Sequence, residues 1–159
     1  MAPPRSGNWQ RHHLLPRALL LRGQIGRFVR GLAICGFHLE DRAANLIVLP
    51  GDEDTAAAAG AAMHRGPHPH YSAVVIARVE RVRALHQRER IGAVQAARRL
   101  ARLQRALCAI LSGHAPRLIL LNRRDPMRLF ADYGALDAAI DAGLAAEAQR
   151  RRIAPDSSS

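Results

Sequence analysis

Residues 8–16 read Asn8-Trp9-Gln10-Arg11-His12-His13-Leu14-Leu15-Pro16. This short run, stopped by proline, reads as a strand over 10–15 that carries a histidine pair. Adjacent strand residues point to opposite sides, so His12 and His13 face two different surroundings. A slip of one residue in register exchanges them. Pro16 then opens a short helix through Leu20-Leu21. Ile25, Phe28, Val29, Leu32 and Cys35 follow at i, i+3, i+4, i+7 and i+10, one helix face that Gly36 stops. Residues 37–44 form a connection. Asn45-Leu46-Ile47-Val48-Leu49 is an apolar strand ended by Pro50-Gly51, and it offers the first strand a partner. Asp52-Glu53-Asp54-Thr55 before an alanine run marks a helix start, and Gly60 its end.

His64-Arg65-Gly66-Pro67-His68-Pro69-His70-Tyr71 cannot lie inside a helix, because each proline removes a backbone donor and clashes with the preceding turn. A helix instead begins near Pro69, with Tyr71, Val75, Val79, Val82 and Leu85 on its apolar face. A second long helix over 93–112 carries Ala97, Leu100, Leu103, Leu107 and Ile110, and shows Arg98, Arg102 and Arg105 on another face. Leu118–Leu121 reads as a short strand or buried turn. The polar stretch Leu121-Asn122-Arg123-Arg124-Asp125-Pro126-Met127-Arg128-Leu129-Phe130 reads as a turn and helix start. A last helix covers 135–152. The expected organisation is a flexible lead over 1–9, one mainly helical α+β domain over 10–153, and a disordered tail over 154–159.

The formal charge is +11, from 24 basic and 13 acidic residues, and every basic residue is arginine. Residues 71–112 hold nine Arg against two Glu, so the surplus sits on the two long helices. Such a charge favours nucleic acid or an anionic surface as partner. The default reading of the arginine rows is a solvated helix face, and the functional one is a phosphate-tracking surface. Aromatic residues are only 4% of the chain, which argues against a base-stacking platform for single strands. No apolar run approaches the ~20 residues of a membrane span, and the N-terminus lacks a signal-peptide core. The expectation is a chain that is cytoplasmic as synthesised. Cys35 and Cys108, far apart and at apolar helix positions, read as free core thiols.

The order His-His, Asn, His-x-x-x-His points at a chemistry. Phosphodiester hydrolysis needs an activated water, charge relief at the phosphate, and help for the leaving oxygen. A divalent metal supplies the last two. A neutral imidazole supplies the first near pH 7. Taken singly, each piece has a bland reading. A histidine doublet is usually a surface pair, and Asn45 a strand-end residue. The His64/His68/His70 group alone fits a proline-rich loop or a structural zinc site. His38, His86 and His114 are isolated and read as surface or core histidines.

These phrases also resemble the HNH/endonuclease VII superfamily. Arg11-His12-His13-Leu14-Leu15-Pro16 and His64-Arg65-Gly66-Pro67-His68-Pro69 are similar to the branch named for an Ala-His-His motif, found as nuclease toxin domains in bacterial polymorphic toxin systems. Arg11 stands where that branch has its alanine. The resemblance covers about residues 8–85. It implies a ββα-metal (His-Me finger) core over about 10–85, with a helical extension over about 92–153. It implies His12, His64 and His68 as ligands of one divalent metal ion, magnesium or zinc, with His13 as general base and Asn45 orienting His13 or tying the strands. Arg11, Arg65, His70, Arg98, Arg102 and Arg105 are the candidate nucleic-acid contacts. The implied function is a metal-dependent endonuclease acting on nucleic acid, DNA rather than RNA, with no membrane partner. A toxin delivered into a target cell and restrained by an immunity protein fits the same resemblance. The rival readings are a non-catalytic basic nucleic-acid-binding protein with a structural zinc, and a toxin-neutralising partner.

Overall fold

The computed structural model describes residues 8–65, 67–112, 121–122 and 134–153. The histidine pair lies at the end of strand β1 (Trp9–His13), which pairs antiparallel with β2 (Leu46–Pro50). The register sets His13 opposite Leu46 and Arg11 opposite Val48. The expected strand over 10–15 thus ends two residues early. Leu14 and Leu15 leave the ladder and are buried in the core, with Asn45 taking up their backbone groups.

Between the strands run a 3-10 turn (Arg17–Leu21), helix α1 (Gly23–Gly31), a second 3-10 turn (Leu32–Cys35) and α2 (Arg42–Asn45). The single helix face expected over 25–35 is therefore α-helical and then tightens to 3-10 before it stops. Gly36 ends it in the left-handed conformation, φ +78°, which glycine adopts without a Cβ clash. Residues 37–44 are not wholly a connection, because the Asp41 side chain accepts from the Ala43 backbone N–H at 2.9 Å and caps one turn of helix. Helix α3 (Glu53–Ala59) starts on Asp52, whose carboxylate accepts from Thr55 N–H at 2.8 Å, and stops on Gly60 with φ +60°.

Strand β3 (His64–Arg65) precedes α4 (Pro69–Gln87), and α5 (Ala93–Leu111) and α6 (Gly134–Ile153) complete the chain. Pro69 occupies the first turn of α4, as its missing donor allows. A short strand β4 (Leu121–Asn122) pairs parallel with β3, setting Leu121 beside His64. The C-terminal part of the chain therefore borders the histidine region. Leu118–Leu120 and residues 123–130 of the polar stretch lie outside the described residues, as do His114 and the lead and tail over 1–7 and 154–159.

The core is a single cluster. Leu14, Leu15 and Leu19 meet Val75 and Val79 of α4, Leu100, Leu107 and Leu111 of α5, and Ile140 of α6. All the apolar positions expected on α5 are buried. Gly143 of α6 passes so near α5 that a Cβ there would lie 3.3 Å from Ala106 Cβ. The architecture is mainly helical α+β with a small antiparallel sheet, as expected. Cys35 and Cys108 are free thiols packed against the core. Among the described residues, no helix is long and apolar enough to cross a membrane.

Candidate metal centre

Three histidines converge from three elements. His12 comes from β1, His64 from β3, and His68 from the cap of α4. Ring centroids lie 5.0 Å apart for His12–His64, 4.6 Å for His12–His68 and 5.1 Å for His64–His68. Each offers a ring nitrogen, and these atoms all lie within 4.8 Å of one another. Two nitrogens on one tetrahedral zinc at ~2.0–2.1 Å would stand roughly 3.4 Å apart. Small side-chain adjustments therefore suffice to bring three nitrogens onto one ion.

The chemistry of the donor set fits a cation. His12 is 1% exposed, and neither of its ring nitrogens has a hydrogen-bond partner among the described residues; His68 Nδ1 is likewise buried and unpartnered among them. A buried imidazole with no partner is costly unless something else takes its lone pair. Its surroundings also keep it neutral. Burial, then His68, His64 and His13, lowers the His12 pKa from 6.5 to about 2. Burial and then His68 lower His64, and burial lowers His68. Neutral rings do not make a proton compete with a metal.

Two side chains outside the expected set shape the triad. Gln10 Oε1 lies 3.0 Å from His64 Nδ1. An amide oxygen can only accept, so this contact favours the tautomer with the proton on His64 Nδ1, which would leave Nε2 free to hold a metal. Tyr71 packs edge-on against His12 and His68, centroids at 4.9 and 5.4 Å, and donates its hydroxyl to Leu14 O at 2.7 Å. Gln10 is two residues before His12 on the same strand face, and that spacing was the available signal. Tyr71 read from the sequence as one residue of an apolar helix face.

Asn45 is buried, and its side chain is fully engaged away from His13. Oδ1 accepts from Leu15 N–H at 2.7 Å and from Gln104 Nε2 at 3.1 Å. Nδ2 donates to Leu15 O and Leu39 O, both at 2.9 Å. Its backbone oxygen accepts from Leu14 N–H at 2.9 Å. Of the two jobs open to Asn45, these bonds are those of a tie that fixes the chain just beyond the histidine pair. Gln104, which reaches it from α5, carries no motif and could not be found by periodicity.

His13 faces the other way. With Arg11, Arg17, Glu40, Arg42 and Leu46 it lines a separate cavity of about 380 Å3. Burial, then Arg17 and Arg42, lowers its pKa, so the ring is neutral near pH 7 and can accept a proton.

The candidate nucleic-acid contacts are dispersed. Arg11 is exposed on β1, Arg65 lies in β3, and His70 is in the first turn of α4. Arg98 is exposed on α5. Arg105 and Arg102 face Glu147 of α6, at 2.6 and 3.9 Å, so both have an intramolecular task. Arg78 is similarly held by Asp137 and Asp141, at 2.8 and 2.5 Å.

A family model described as a nuclease family of the HNH/ENDO VII superfamily with conserved AHH matches residues 2–107. That range takes in both histidine groups, Asn45 and Gln104. No curated protein and no solved structure matches the chain.

Proposed function

The chain belongs to the AHH family of HNH/ENDO VII-superfamily nucleases, and on that premise we propose that it is a metal-dependent endonuclease hydrolysing phosphodiester bonds of DNA. The observation that carries the metal is the triad itself: three histidines from three elements, with candidate ligand atoms within 4.8 Å and buried nitrogens that no other described residue satisfies. His12, His64 and His68 would hold one divalent ion, and Gln10 would fix the His64 tautomer. When bound, that ion supplies charge relief at the phosphate and help for the leaving oxygen. Among the described residues the group has three members, and three protein ligands on a bound zinc would leave room for water or substrate. Open positions distinguish catalytic from structural zinc sites.

His13 is the base. It is neutral near pH 7, and a water held at its ring would give it a proton while the water oxygen attacks phosphorus. The bond from phosphorus to the leaving oxygen breaks, and that oxygen takes a proton from solvent. Asn45 acts through position rather than contact, by clamping Leu15 and so the end of β1. His12 and His13 adjoin at the end of β1 on opposite faces, so a phosphodiester would have to cross the strand end to meet both jobs.

A toxin role, delivery into a target cell and an immunity partner are what the Ala-His-His branch brings. The test of the core reading is direct. Purified protein is incubated with plasmid DNA and with RNA, with magnesium, manganese, zinc or chelator. Metal-dependent nicking of the plasmid is expected, and chelator should stop it. Cleavage that persists in chelator would remove the metal from the mechanism. A zinc-dependent rise in melting temperature with no cleavage of either substrate would favour the structural-zinc reading.

A further inference from the structure

The cavity beside His13 differs from the other cavities in how its arginines are partnered. The cavity of about 360 Å3 between α4, α5 and α6 has four arginines, of which Arg78, Arg81 and Arg102 face Asp137, Asp141 or Glu147, and Arg99 alone has no ion pair among the described residues. The cavity of about 440 Å3 beside α1 includes Arg83, which is tied to Glu80, and Arg27, which has no ion pair among the described residues. Beside His13 three arginines meet a single carboxylate. Arg17 pairs with Glu40 at 3.1 Å, and both side chains are about two-thirds exposed, at 65% and 66%. Neither Arg11 nor Arg42 is ion-paired among the described residues. Among the described residues the cavity wall therefore has a surplus of two positive charges, and the one acid among them sits on one of the three cations.

We propose that this cavity is the seat of the substrate's phosphodiester, gripped by Arg11, Arg17 and Arg42, and that Glu40 is an internal counter-anion which the nucleic acid displaces from Arg17. The placement follows from the strand. Arg11 and His13 are two residues apart on β1 and share a face, while Arg17 and Arg42 come from the two turns that flank it. A guanidinium matches a phosphate in shape and charge and can donate two parallel hydrogen bonds to it. A carboxylate presents the same pair of acceptor oxygens and the same single negative charge, so Glu40 can occupy the Arg17 fork and yet yield to a phosphodiester bound by three arginines. The pair is solvent-exposed, and such pairs are weak, so the exchange is cheap. The occupant of Ala in the family motif is here an arginine, and this chain thereby gains one cation beside its base.

The inference rests on His13 being the base, and its test separates the two. Binding of a short fluorescein-labelled DNA duplex is followed by anisotropy in chelator, where the metal-dependent reaction is off. Arg17→Gln and Arg42→Gln should each weaken binding and lower the slope of log affinity against log salt by about 0.9. Glu40→Gln should tighten binding roughly two- to fivefold, the range an exposed ion pair allows. In the double variant Arg17→Gln with Glu40→Gln, that tightening should vanish, because the acid acts through Arg17. Melting temperatures check that each variant is folded, and Arg17, whose side chain is 65% exposed, keeps the test open if Arg42→Gln is not. Unmoved salt slopes in folded arginine variants overturn the cavity even if the parent protein cleaves plasmid. A Glu40→Gln variant that binds no tighter overturns the displacement. Changed slopes with no cleavage under any metal would keep the cavity as a nucleic-acid site and sink the hydrolytic reading instead.

Discussion

The tasks proposed for His12 and His13, neighbours in sequence, are different, and substitutions can pull them apart. His13→Ala should remove most cleavage and leave metal affinity largely as it was. His68→Ala should weaken both, because a lost ligand opens the site. If both variants cleave like the parent, the assigned roles fall; if His12→Ala behaves as expected for His13→Ala, the two are exchanged. Gln10→Leu tests the tautomer argument. Loss of an outer partner of a ligating histidine lowers metal affinity by roughly 10–100-fold, and a competition titration with a zinc chelator that shows no change would dismiss Gln10. Asn45→Ala breaks four side-chain hydrogen bonds in a buried setting. Several backbone groups are then stranded, and urea unfolding should show a loss of roughly 2–4 kcal/mol. The histidines were legible in the sequence because their chemistry is rare and their order specific. Gln10 and Gln104 were not, since a glutamine becomes informative only once the group it touches is known.

At the scale of elements, helix faces were read well where one face is apolar throughout. Ala97, Leu100, Leu103, Leu107 and Ile110 of α5 are all buried, because a sustained 3.6-residue period leaves one solution. Short elements were less readable. The turn α2 and strands β3 and β4 are four, two and two residues long, too short for any period to show, and they depend on long-range pairing. The charged side of α5 illustrates a further limit. Periodicity places Arg98, Arg102 and Arg105 on one stripe but cannot see that Glu147 of α6 meets two of them. Replacing all three by glutamine should therefore lower the DNA-binding salt slope by about 0.9, the share of Arg98 alone, rather than about three times that. The melting temperature should fall as well, since Glu147 is buried and would lose its cations. A threefold change in slope without a thermal penalty would hand all three arginines to the substrate.

The molecule as a whole should respond to acid through its histidines. His12, His64 and His68 all have folded-state pKa values below the usual 6.5. The unfolded chain then binds more protons than the folded one below about pH 6.5, so stability is retained above that pH and lost as pH falls through it. Metal-free protein should melt at nearly constant temperature from about pH 8 to 7 and progressively lower towards about pH 5. A flat profile over the whole range would mean that the triad is more open to water than its burial indicates. Gln104 carries a different kind of consequence, one of timing. During synthesis His12, His13, Asn45, His64 and His68 all leave the ribosome before residue 104 does, yet Asn45 gains its last partner only from α5. A nascent chain thus exposes every imidazole of the site while the clamp behind them is still incomplete, and full cutting power should arrive late, once most of the polypeptide has been made. Chains stalled shortly before Gln104 should consequently nick DNA far more slowly than chains extended through α6.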